Sequence, residues 1–267
     1  MTNKTVDYNF CFVDKNRAVL VLEGEDKIEF LQALTTNNIE NISKEYIVYT
    51  AILSPQGKYL FDFFVFSLGN NEIFIDIHQS RAGAVKKFLE FYKLNSDVTI
   101  NEKSCQVVLS SVQEGAFSFA DPRANILGWR CYDFKEEFVK ESKGFDEFEI
   151  NRIKNLIPET GIELLPDKSY ILELNFENIH GVDFKKGCYI GQEVTARMKH
   201  KATLKNKLYC GHIPANQKNR DDKKIYSNGK VVGDIYSIFN NYCLIKIKEE
   251  FKEKKLTVFG EPLILVN

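Results

Sequence analysis

The chain has 267 residues, and its 36 Lys and Arg residues nearly balance 37 Asp and Glu residues, which leaves a formal net charge of −1. This length fits one large domain or two ordinary ones, and a composition with 44% hydrophobic and 27% charged residues excludes wholesale disorder. The near-zero charge argues against broad binding to nucleic acid or anionic membranes, because both usually need a large positive excess.

The N-terminal part of the chain alternates short apolar segments with amphipathic ones. The apolar segments predict strands over residues 18–22, 46–53, 59–68 and 72–77. Apolar residues at helical spacing predict helices over 26–39 and 80–94. The segments 55–57 and 69–71 suit tight hairpin turns because they contain Gly, Pro and Asn. This order of strands and helices predicts a ferredoxin-like α+β unit.

The middle of the chain continues this pattern with shorter elements, and the C-terminal part changes to strands alone. Further strands are predicted over residues 105–112, 115–120 and 129–134. A helix is predicted over 145–156, and the polar segment 216–224 predicts a loop within the strand-rich part. We therefore expect an α+β domain over 1–203, with a second subdomain at roughly 100–160, and a small β-barrel domain over 204–267.

The cysteines and histidines form no recognisable metal or redox motif. The six cysteines are spread singly along the chain, at Cys11, Cys105, Cys131, Cys188, Cys210 and Cys243. No two are separated by only two residues, which argues against a zinc ribbon and a thioredoxin-type pair, and the histidines show no ligand spacing. No signal-peptide pattern occurs, and no apolar run approaches the roughly 18 residues of a membrane span. We expect a reduced, soluble, cytoplasmic protein without a metal site.

The densest local signal is the segment 185–197, which reads KKGCYIGQEVTAR. Its two glycines allow a positive φ or the close approach of a ligand. Gln192 is expected to begin a helix, whose free N–H groups and positive dipole end suit an anion or a carbonyl group. Cys188 lies beside Lys186 and this helix start, in surroundings that favour a reactive thiolate. The alternative is an ordinary glycine-rich turn in which Cys188 is a small buried hydrophobe.

Two carboxylates interrupt apolar segments, and each has two interpretations. Glu173 lies in YILELNF and Asp62 lies in LFDFFV, so each side chain either faces solvent or is buried with a partner. A buried Glu173 could accept two N–H bonds from an aminopyrimidine-like ring. The segment from Asp121 to Arg123, with Arg130 beyond it, is either an internal salt-bridged corner or the wall of an anion site.

The segment 186–193, KGCYIGQE, with Ala196 and Arg197 after it, resembles the signature of the YgfZ family, which reads K-G-C-Y-x-G-Q-E followed by A-R. Other stretches agree in order with the family's F-L-Q-x-L-x-T-N-D, P-x-G-[KR]…D, D-P-R…L-G-W-R and G-x-V-x-S patterns, at residues 31–38, 55–62, 121–130 and 233–237. Asn38 stands where the family usually has Asp. The likeness extends from about Arg17 to the C-terminal strands.

The resemblance implies the fold of the aminomethyltransferase of the glycine cleavage system. The expected fold class is therefore α+β, with interleaved ferredoxin-like subdomains around a central folate cavity and a small C-terminal β-barrel. The implied function is that of a tetrahydrofolate-binding protein that assists the assembly or repair of iron–sulfur clusters. Its expected partners are cluster-assembly proteins or client enzymes.

The resemblance also implies two sets of site residues. The reactive set is Cys188, Lys186 and Asp62, with Lys186 activating the thiol. The tetrahydrofolate-binding set is Glu173, Asn37, Asp62, Tyr189, Gln192 and Arg197. Glu173 is expected to hold the pterin ring, although Ile171 stands where the superfamily setting has a proline.

Two other functions stay open, and the sequence leaves open whether the protein is an enzyme. An aminomethyltransferase would transfer a one-carbon unit to tetrahydrofolate. Such enzymes resemble G-G-x-x-D-D at the hairpin, where this chain has an aromatic residue before Asp62, and they typically lack the cysteine of the segment 186–193. A non-catalytic scaffold would instead bind assembly partners through the basic stretch 199–207.

Overall fold

Strands dominate the architecture in a computed structural model, which describes residues 9–69, 71–138, 142–201, 204–214 and 222–266. In chain order the strands are β1 Cys11–Val13, β2 Arg17–Glu23, β3 Val48–Leu53, β4 Tyr59–Phe66, β5 Ile73–His78, β6 Thr99–Lys103, β7 Gln106–Ser110, β8 Ser118–Ala120, β9 Trp129–Asp133, β10 Asn206–His212, β11 Lys224–Ser227, β12 Lys230–Phe239, β13 Tyr242–Lys248, β14 Leu256–Val258 and β15 Glu261–Val266. The helices are α1 Lys27–Leu34, α2 Gln79–Tyr92, α3 Phe145–Lys154 and α4 Gln192–Lys201.

The strands form three antiparallel arrangements that interleave along the chain. One sheet has the order β3-β4-β5-β2-β6, and a second has the order β1-β7-β9-β8. Because β1 precedes β2 in the chain but pairs with β7, the described part of the chain contributes to the second sheet before it forms the first. The remaining strands close a barrel in the order β10-β13-β12-β11-β14-β15. The predicted fold class, interleaved α+β units followed by a small β-barrel, is confirmed.

The five-stranded sheet has apolar contacts on both faces. Along β2, Leu20 and Leu22 pack with the cluster that contains α1 and α2, while Val19 and Val21 pack into the cluster between the two sheets. Coverage of both faces explains the nearly continuous apolar sequences of β3, β4 and β5. The alternation of side chains along a strand then places Asp62 of β4 and Asp76 of β5 on the face that looks into the centre of the molecule.

The first helix is shorter than its apolar spacing predicts, because tertiary contacts stop it. The expected helix over 26–39 ends at Leu34, and Thr35 is already extended, with φ −100° and ψ 152°. The N–H of Thr36 donates to the carbonyl of Ala51 at 2.9 Å, so the chain joins the edge of β3 instead of continuing the helix. The sequence also left β1 and β6 unpredicted, since β1 has three residues and β6 buries only Ile100.

Candidate functional site

Asp62 is a buried hydrogen-bond acceptor in the centre of the molecule. Its carboxylate accepts hydrogen bonds from the hydroxyls of Tyr49 at 2.9 Å, Tyr59 at 2.6 Å and Thr160 at 2.5 Å. Burial, and next the negative charge of Asp62, raise the pKa of both tyrosines well above the ordinary value, so both hydroxyls stay protonated and donate. Of the two interpretations of Asp62, the buried and partnered one is correct.

Asp76 is a second buried carboxylate, and it joins the two sheets. It accepts from Nε of Arg17 at 2.6 Å, from Nη2 of Arg130 at 2.6 Å and from the hydroxyl of Tyr132 at 2.9 Å. Burial alone would raise the pKa of Asp76, but the two guanidinium groups outweigh it and hold this pKa below the usual range. Asp76 lies in β5, and Arg130 and Tyr132 lie in β9, so these bonds cross between the sheets.

The corner from Asp121 to Arg130 is a salt-bridged structure that also faces a cavity. Asp121 accepts from Nε of Arg123 at 3.0 Å and from its Nη2 at 2.7 Å, and Nη1 of Arg130 lies 3.6 Å from the same carboxylate. The guanidinium carbons of Arg17, Arg123 and Arg130 lie 5.5, 4.8 and 3.9 Å from the centre of the Phe64 ring. The ion pairs make this segment an internal salt-bridged corner, which is the first of the two alternatives. Arg123 and Arg130 also border a cavity, and an anion site there stays a prediction.

The central cavity lies between the two sheets and α3 and has a volume of about 150 Å³. Asp62, Thr160 and His78 border it. An arginine wall is formed by Arg17, Arg123 and Arg130. An acidic wall is formed by Asp14, Glu149 and Glu159, and an aromatic wall by Phe12, Phe145 and Phe148. Charges of both signs therefore line one small space.

Cys188 is exposed, in a loop that Lys186 anchors to the end of α1. Nζ of Lys186 donates to the carbonyls of Gln32 at 2.7 Å, Thr35 at 2.6 Å and Asn37 at 3.1 Å. An ammonium group has three protons to donate, so these carbonyls use all of them. Burial lowers the pKa of Lys186 to about 8, which still leaves the donating form predominant at neutral pH. The ammonium protons of Lys186 are thus directed to these carbonyls, and the expected activation of Cys188 by Lys186 and the helix start stays a prediction. The alternative that the cysteine is buried is wrong, because Cys188 is exposed.

The second glycine of the same segment fits the loop against the β3–β4 hairpin. Gly191 has φ +82°, and a methyl group there would lie 2.6 Å from the carbonyl oxygen of Ser54. A methyl group on Gly57 of the hairpin would lie 2.8 Å from Cβ of Val194. The close approach that these glycines permit is therefore between the loop and the hairpin. Gly187, by contrast, has open space on its Cβ side.

Asn37 and Tyr189 are placed as structural groups around this loop. The side-chain amide of Asn37 donates to the carbonyls of Tyr49 at 2.9 Å and His180 at 2.7 Å, so both of its N–H bonds are used. Tyr189 packs into the central apolar cluster, and burial raises its pKa to about 12. Asn37 and Tyr189 are absent from the lining of the central cavity.

Gln192 and Arg197 lie on α4 and have weaker local partners. Gln192 is the first residue of the helix, and its Nε2 lies 3.4 Å from the carbonyl of Gly187. Arg197 pairs with Glu193 one turn earlier at 2.7 Å, in an ion pair that is largely exposed. Exposed pairs of this kind contribute little to stability, so the guanidinium of Arg197 is available to another anion.

Glu173 lies at the junction between the α+β body and the barrel. Its Oε1 accepts from the side-chain amide of Asn206 at 2.9 Å, and its Oε2 lies 3.7 Å from Nζ of Lys246. Its side chain is 14% exposed, so the carboxylate is partnered and mostly buried. Glu173 does not border the cavity that contains Asp62.

The predicted site residues therefore occupy three places. Lys186, from the loop that carries Cys188, donates to the carbonyl of Asn37 just after the end of α1. Asp62 lies in the central cavity, and Glu173 lies against the barrel.

Sequence reasoning missed several buried charged groups. Asp76 interrupts the apolar strand IFIDIH as Asp62 interrupts its own strand, so the same signal would have identified it. The cluster of Arg152, Glu163 and Ser237 gives no such signal, because Ser237 is far from the other two in the sequence. Glu163 accepts from the N–H of Ser237 at 3.1 Å and from its hydroxyl at 2.6 Å, and Arg152 donates to the same hydroxyl at 2.9 Å.

Neither a metal centre nor a membrane helix is found in the described ranges. No group of three or more His, Cys, Asp and Glu side chains there is arranged to hold a metal ion. No helix in the same ranges is long and apolar enough to cross a membrane.

Comparisons with known proteins identify both a fold and a set of relatives. The structure superposes on the glycine cleavage system aminomethyltransferase T from Bartonella henselae with a TM-score of 0.72, over 97% of this chain and 84% of that one, at 12% identity. The fold is that of aminomethyltransferase T. At this identity the likeness shows the fold alone, and no family profile matches the sequence.

The curated relatives are iron–sulfur cluster assembly factors. The chain is 28% identical to mitochondrial IBA57 of Mus musculus over 77% of this chain and 68% of the relative. It is 29% identical to mitochondrial IBA57 of Homo sapiens over 74% of this chain and 65% of the relative. Against the IBA57 homolog of Mycosarcoma maydis the identity is 26%, over 72% of this chain and 54% of the relative. The chain thus spans about half to two thirds of the length of these proteins.

Proposed function

We propose that this protein assists the assembly or repair of iron–sulfur clusters, with Cys188 as its reactive group and tetrahydrofolate as its cofactor. The observation that carries the proposal is the similarity to iron–sulfur cluster assembly factors over 77% of the chain, with 28% identity. The matched proteins are longer, so partners and clients are proposed from chemistry and not transferred from them. The cytoplasmic location remains a prediction.

The geometry around Cys188 supports a role for its thiol. Cys188 is exposed, and its loop is fixed on one side by Lys186 and on the other by Gly191. A fixed loop presents a thiol to a partner with little loss of conformational entropy on binding. Thiolate sulfur is a preferred ligand of iron in clusters, which are the cargo here and not a resident cofactor.

The central cavity and the groove beside it suit a folate. Glu149, Arg152 and Glu159 border both the cavity and an open groove of about 710 Å³ that runs along β12 of the barrel. The cavity has room for a ring and the groove for the remainder. The carboxylates can accept from the N–H groups of a pterin, and the arginines can donate to its carbonyl group. Bound tetrahydrofolate would supply one-carbon chemistry. Asp62 would hold polar groups near the ring. Glu173 borders neither the cavity nor the groove, so it would anchor the pterin only after leaving Asn206 and moving toward them.

Cluster assembly and thiol chemistry are tested together in a reconstitution assay with a 4Fe–4S client enzyme. We expect Cys188→Ser to lose most of the stimulation that the wild-type protein gives, because oxygen is a poor ligand for iron in these clusters. Cys105→Ser is the matched control, since Cys105 is partly buried, and it should retain full stimulation. Equal stimulation by Cys188→Ser and wild type would remove this cysteine from the function.

Folate binding is tested by calorimetric titration with tetrahydrofolate. We expect binding by wild type and by Cys188→Ser, and a loss of about tenfold in affinity for Glu173→Gln, which is the loss of one charge-assisted hydrogen bond. Unchanged affinity in Glu173→Gln would move the pterin anchor elsewhere. No binding by wild type would overturn the folate part of the proposal and leave the thiol part to its own assay.

One-carbon transfer is a second candidate function, and the shared fold with aminomethyltransferase T favours it. Phe61, which stands before Asp62, packs on the opposite face of the sheet with the α1 and α2 cluster, so it adds no group to the central cavity. The test mixes the protein with tetrahydrofolate and an aminomethyl-lipoyl carrier. Robust formation of methylene-tetrahydrofolate would replace the proposed function with this one.

A scaffold role through the basic stretch 199–207 has less support. Lys199 pairs with Glu177, and Lys207 lies 3.5 Å from Glu249, so two of its cations already have acidic partners. Residues 202–203 of the stretch lie outside the described ranges.

A further inference from the structure

A groove that has no part in the proposed function lies between α1 and the C-terminal end of α2, and we call it the α1–α2 groove. Its volume is about 580 Å³, and residues 92–96 form one of its sides. The other side is a single face of α1 and its N-cap, formed by Asp26, Glu29, Phe30, Ala33 and Leu34. These residues recur every three or four positions, so they offer the kind of ridge against which another helix packs.

The α1–α2 groove has an apolar floor and an apolar edge. Phe30 and Leu34 are 7% and 5% exposed and form the floor, and the small side chain of Ala33 between them is exposed. On the edge, Leu94 is 83% exposed, and Phe91, three residues earlier, is 74% exposed. Neighbouring large apolar side chains at this exposure are typical of surfaces that bind other proteins.

The backbone at Leu94 is strained as well as exposed. Leu94 has φ +46°, and it directly follows Lys93, the C-cap of α2. Helices usually place glycine at this position, because a side chain is unfavourable in the left-handed region. Leu94 therefore gains neither a relaxed backbone nor burial within the chain, which is consistent with a contact outside it.

The rim of the α1–α2 groove is acidic. Residues 25–29 and 90–97 contain five carboxylates and two ammonium groups, so their net charge is −3. The carboxylates are those of Glu25, Asp26, Glu29, Glu90 and Asp97. Lys93 pairs with Glu90 at 2.8 Å, and the buried Lys27 donates to the carbonyl of Gly24 at 2.7 Å. Glu25 and Glu29 are exposed and have no ion pair within the described ranges.

The end of α2 adds to this negative potential. Its last turn contains no basic residue, so the partial negative charge of the helix C-terminus is offset only by Lys93, which already has Glu90. Lys87 lies more than one turn before the end of α2, and Lys186 at the end of α1 is bound to carbonyls near Asp183. A molecule that covers the groove is therefore expected to carry positive charge, and an anionic membrane is disfavoured.

We infer that the α1–α2 groove binds an amphipathic helix of a partner protein, with aliphatic side chains against Leu34 and Leu94 and basic side chains toward Glu29. The same helix α1 holds the loop of Cys188, because Lys186 donates to the carbonyls of Gln32 and Thr35. A partner in the groove would thus contact the element that carries this loop. The inference concerns binding alone and depends on neither the thiol nor the folate of the proposed function.

The first experiment measures the fluorescence anisotropy of three labelled peptides of about 18 residues each, a length that allows a helix to form. One is an amphipathic helix of Leu and Lys, the second has the same composition without helical periodicity, and the third is an amphipathic helix of Leu and Glu. We expect the first to bind wild type at least tenfold more tightly than the others, because only it matches both the apolar edge and the acidic rim. Equal binding of either other peptide, or no binding of the first, would overturn the inference.

The second experiment locates the binding of the Leu and Lys peptide. Leu94→Gly and Glu29→Lys should each weaken it about tenfold. Ile264→Ala and Glu45→Lys are the matched controls, because both residues are exposed and lie outside the groove, and they should bind as wild type does. Unchanged affinity in both groove variants, or an equal loss in the controls, would contradict the location.

Thermal unfolding separates a binding role of Leu94 from a structural one. The unfolding midpoint of Leu94→Gly should equal or exceed that of wild type, because glycine adopts a positive φ without strain. A lower midpoint would show that Leu94 stabilises the fold and would remove it as a binding residue.

Two other occupants are distinguished by sedimentation. Wild type should sediment as a monomer and should not bind phosphatidylglycerol vesicles. Self-association or vesicle binding that is lost in Leu94→Gly would assign the groove to a second copy of the chain or to a membrane, and would overturn the inference. Cys188→Ser should bind the Leu and Lys peptide as wild type does, so failure of this inference and failure of the thiol proposal are separate results.

Discussion

The ammonium group of Lys186 faces carbonyl oxygens at the C-terminal end of α1, where a helix has acceptors without intrahelical partners. A cation at this end is also favoured by the helix dipole. The side chain thereby connects the loop of Cys188 to α1 without contacting solvent to any large extent. At the scale of single residues, Lys186 therefore holds the loop against α1, and the loop exposes Cys188.

Replacing Lys186 with Met should lower the free energy of unfolding by about 2–3 kcal/mol, because three carbonyls lose a charged donor in a mostly buried place. Urea unfolding measures this change. Lys185→Met is the matched control, since Lys185 is exposed and its effect should stay within about 0.5 kcal/mol. Equal stability of the two variants would show that the carbonyl contacts of Lys186 contribute nothing.

Cys188 should be the fastest thiol of the chain toward a disulfide reagent in the native state. Burial raises the pKa of Cys105 and Cys243 to about 12 and that of Cys210 to about 11, so these thiols stay protonated as well as shielded. We expect one fast thiol per chain and its disappearance in Cys188→Ser. A fast phase that persists in this variant would place the reactive thiol elsewhere.

At the scale of elements, the β3–β4 hairpin and the start of α4 are built to touch. Gly57 and Gly191 lie at their closest approach, and a methyl group on Gly191 would also come within 3.0 Å of Cβ of Leu53. The hairpin in turn holds the segment before Glu173, since the N–H of Tyr59 donates to the carbonyl of Ser169 at 2.9 Å. Contacts between elements account for one glycine in each of two signature segments, Gly57 and Gly191.

Gly191→Ala should destabilise the protein by about 2–4 kcal/mol, because alanine is strained at φ +82° and its methyl group overlaps the hairpin backbone. Gly187→Ala is the control in the same loop. Its φ is not in the positive region and its Cβ side is open, so its effect should stay below about 1 kcal/mol. Thermal unfolding compares the stabilities of the two variants. A larger loss of stability in Gly187→Ala than in Gly191→Ala would contradict the packing of Gly191 against the hairpin.

At the scale of the whole molecule, buried ion pairs join the three sheets. Asp76 and Arg130 connect the two sheets of the body, and Glu163, with Arg152, connects the body to β12 of the barrel through Ser237. Removing one partner of such a pair would leave an uncompensated buried charge, which is strongly destabilising.

Glu163→Gln should lower the free energy of unfolding by about 2–4 kcal/mol, since it removes a charge that accepts from Ser237 and from the N–H of Glu159. Glu177→Gln is the matched control, because the Glu177 carboxylate is exposed and pairs only with Lys199 among the described residues. Its effect should stay within about 0.5 kcal/mol. Chemical denaturation measures both changes. An unchanged free energy of unfolding in Glu163→Gln would show that Glu163 does not stabilise the connection between the body and the barrel.

The protein should lose stability in acid through Asp76 and Asp121. Both have a folded pKa below the unfolded value of about 3.9, so their ionised forms stabilise the fold. This stabilisation is fully present above that unfolded value and is lost as the pH falls through the lower folded values. We expect Asp76→Asn to be destabilised by about 3–5 kcal/mol at neutral pH and by less in acid. Exposed Asp146→Asn is the control, and a pH-independent difference would contradict the linkage.

The sequence predicted the elements of the body well and the site only in part. Strong apolar patterns gave the strands around Asp62 and the helix at 79–92, because those segments bury the faces that the pattern marks. The end of α1 at Leu34 could not be predicted, because a contact with Ala51 of β3 decides it. The partners of buried charges could not be predicted either, because they also depend on tertiary contacts. Asp76 and Arg130, for example, are far apart in the chain.

The sequence by itself determined a balanced charge, the order of the elements and a signature around Cys188, because composition and local periodicity are properties of neighbouring residues. Only the tertiary structure decided that Lys186 binds the end of α1, that Gly191 meets the hairpin and that Glu173 lies against the barrel. These outcomes depend on which distant segments the core brings together. The physical reason is that the role of a buried charged group, or of a glycine, depends on the partner that folding places beside it.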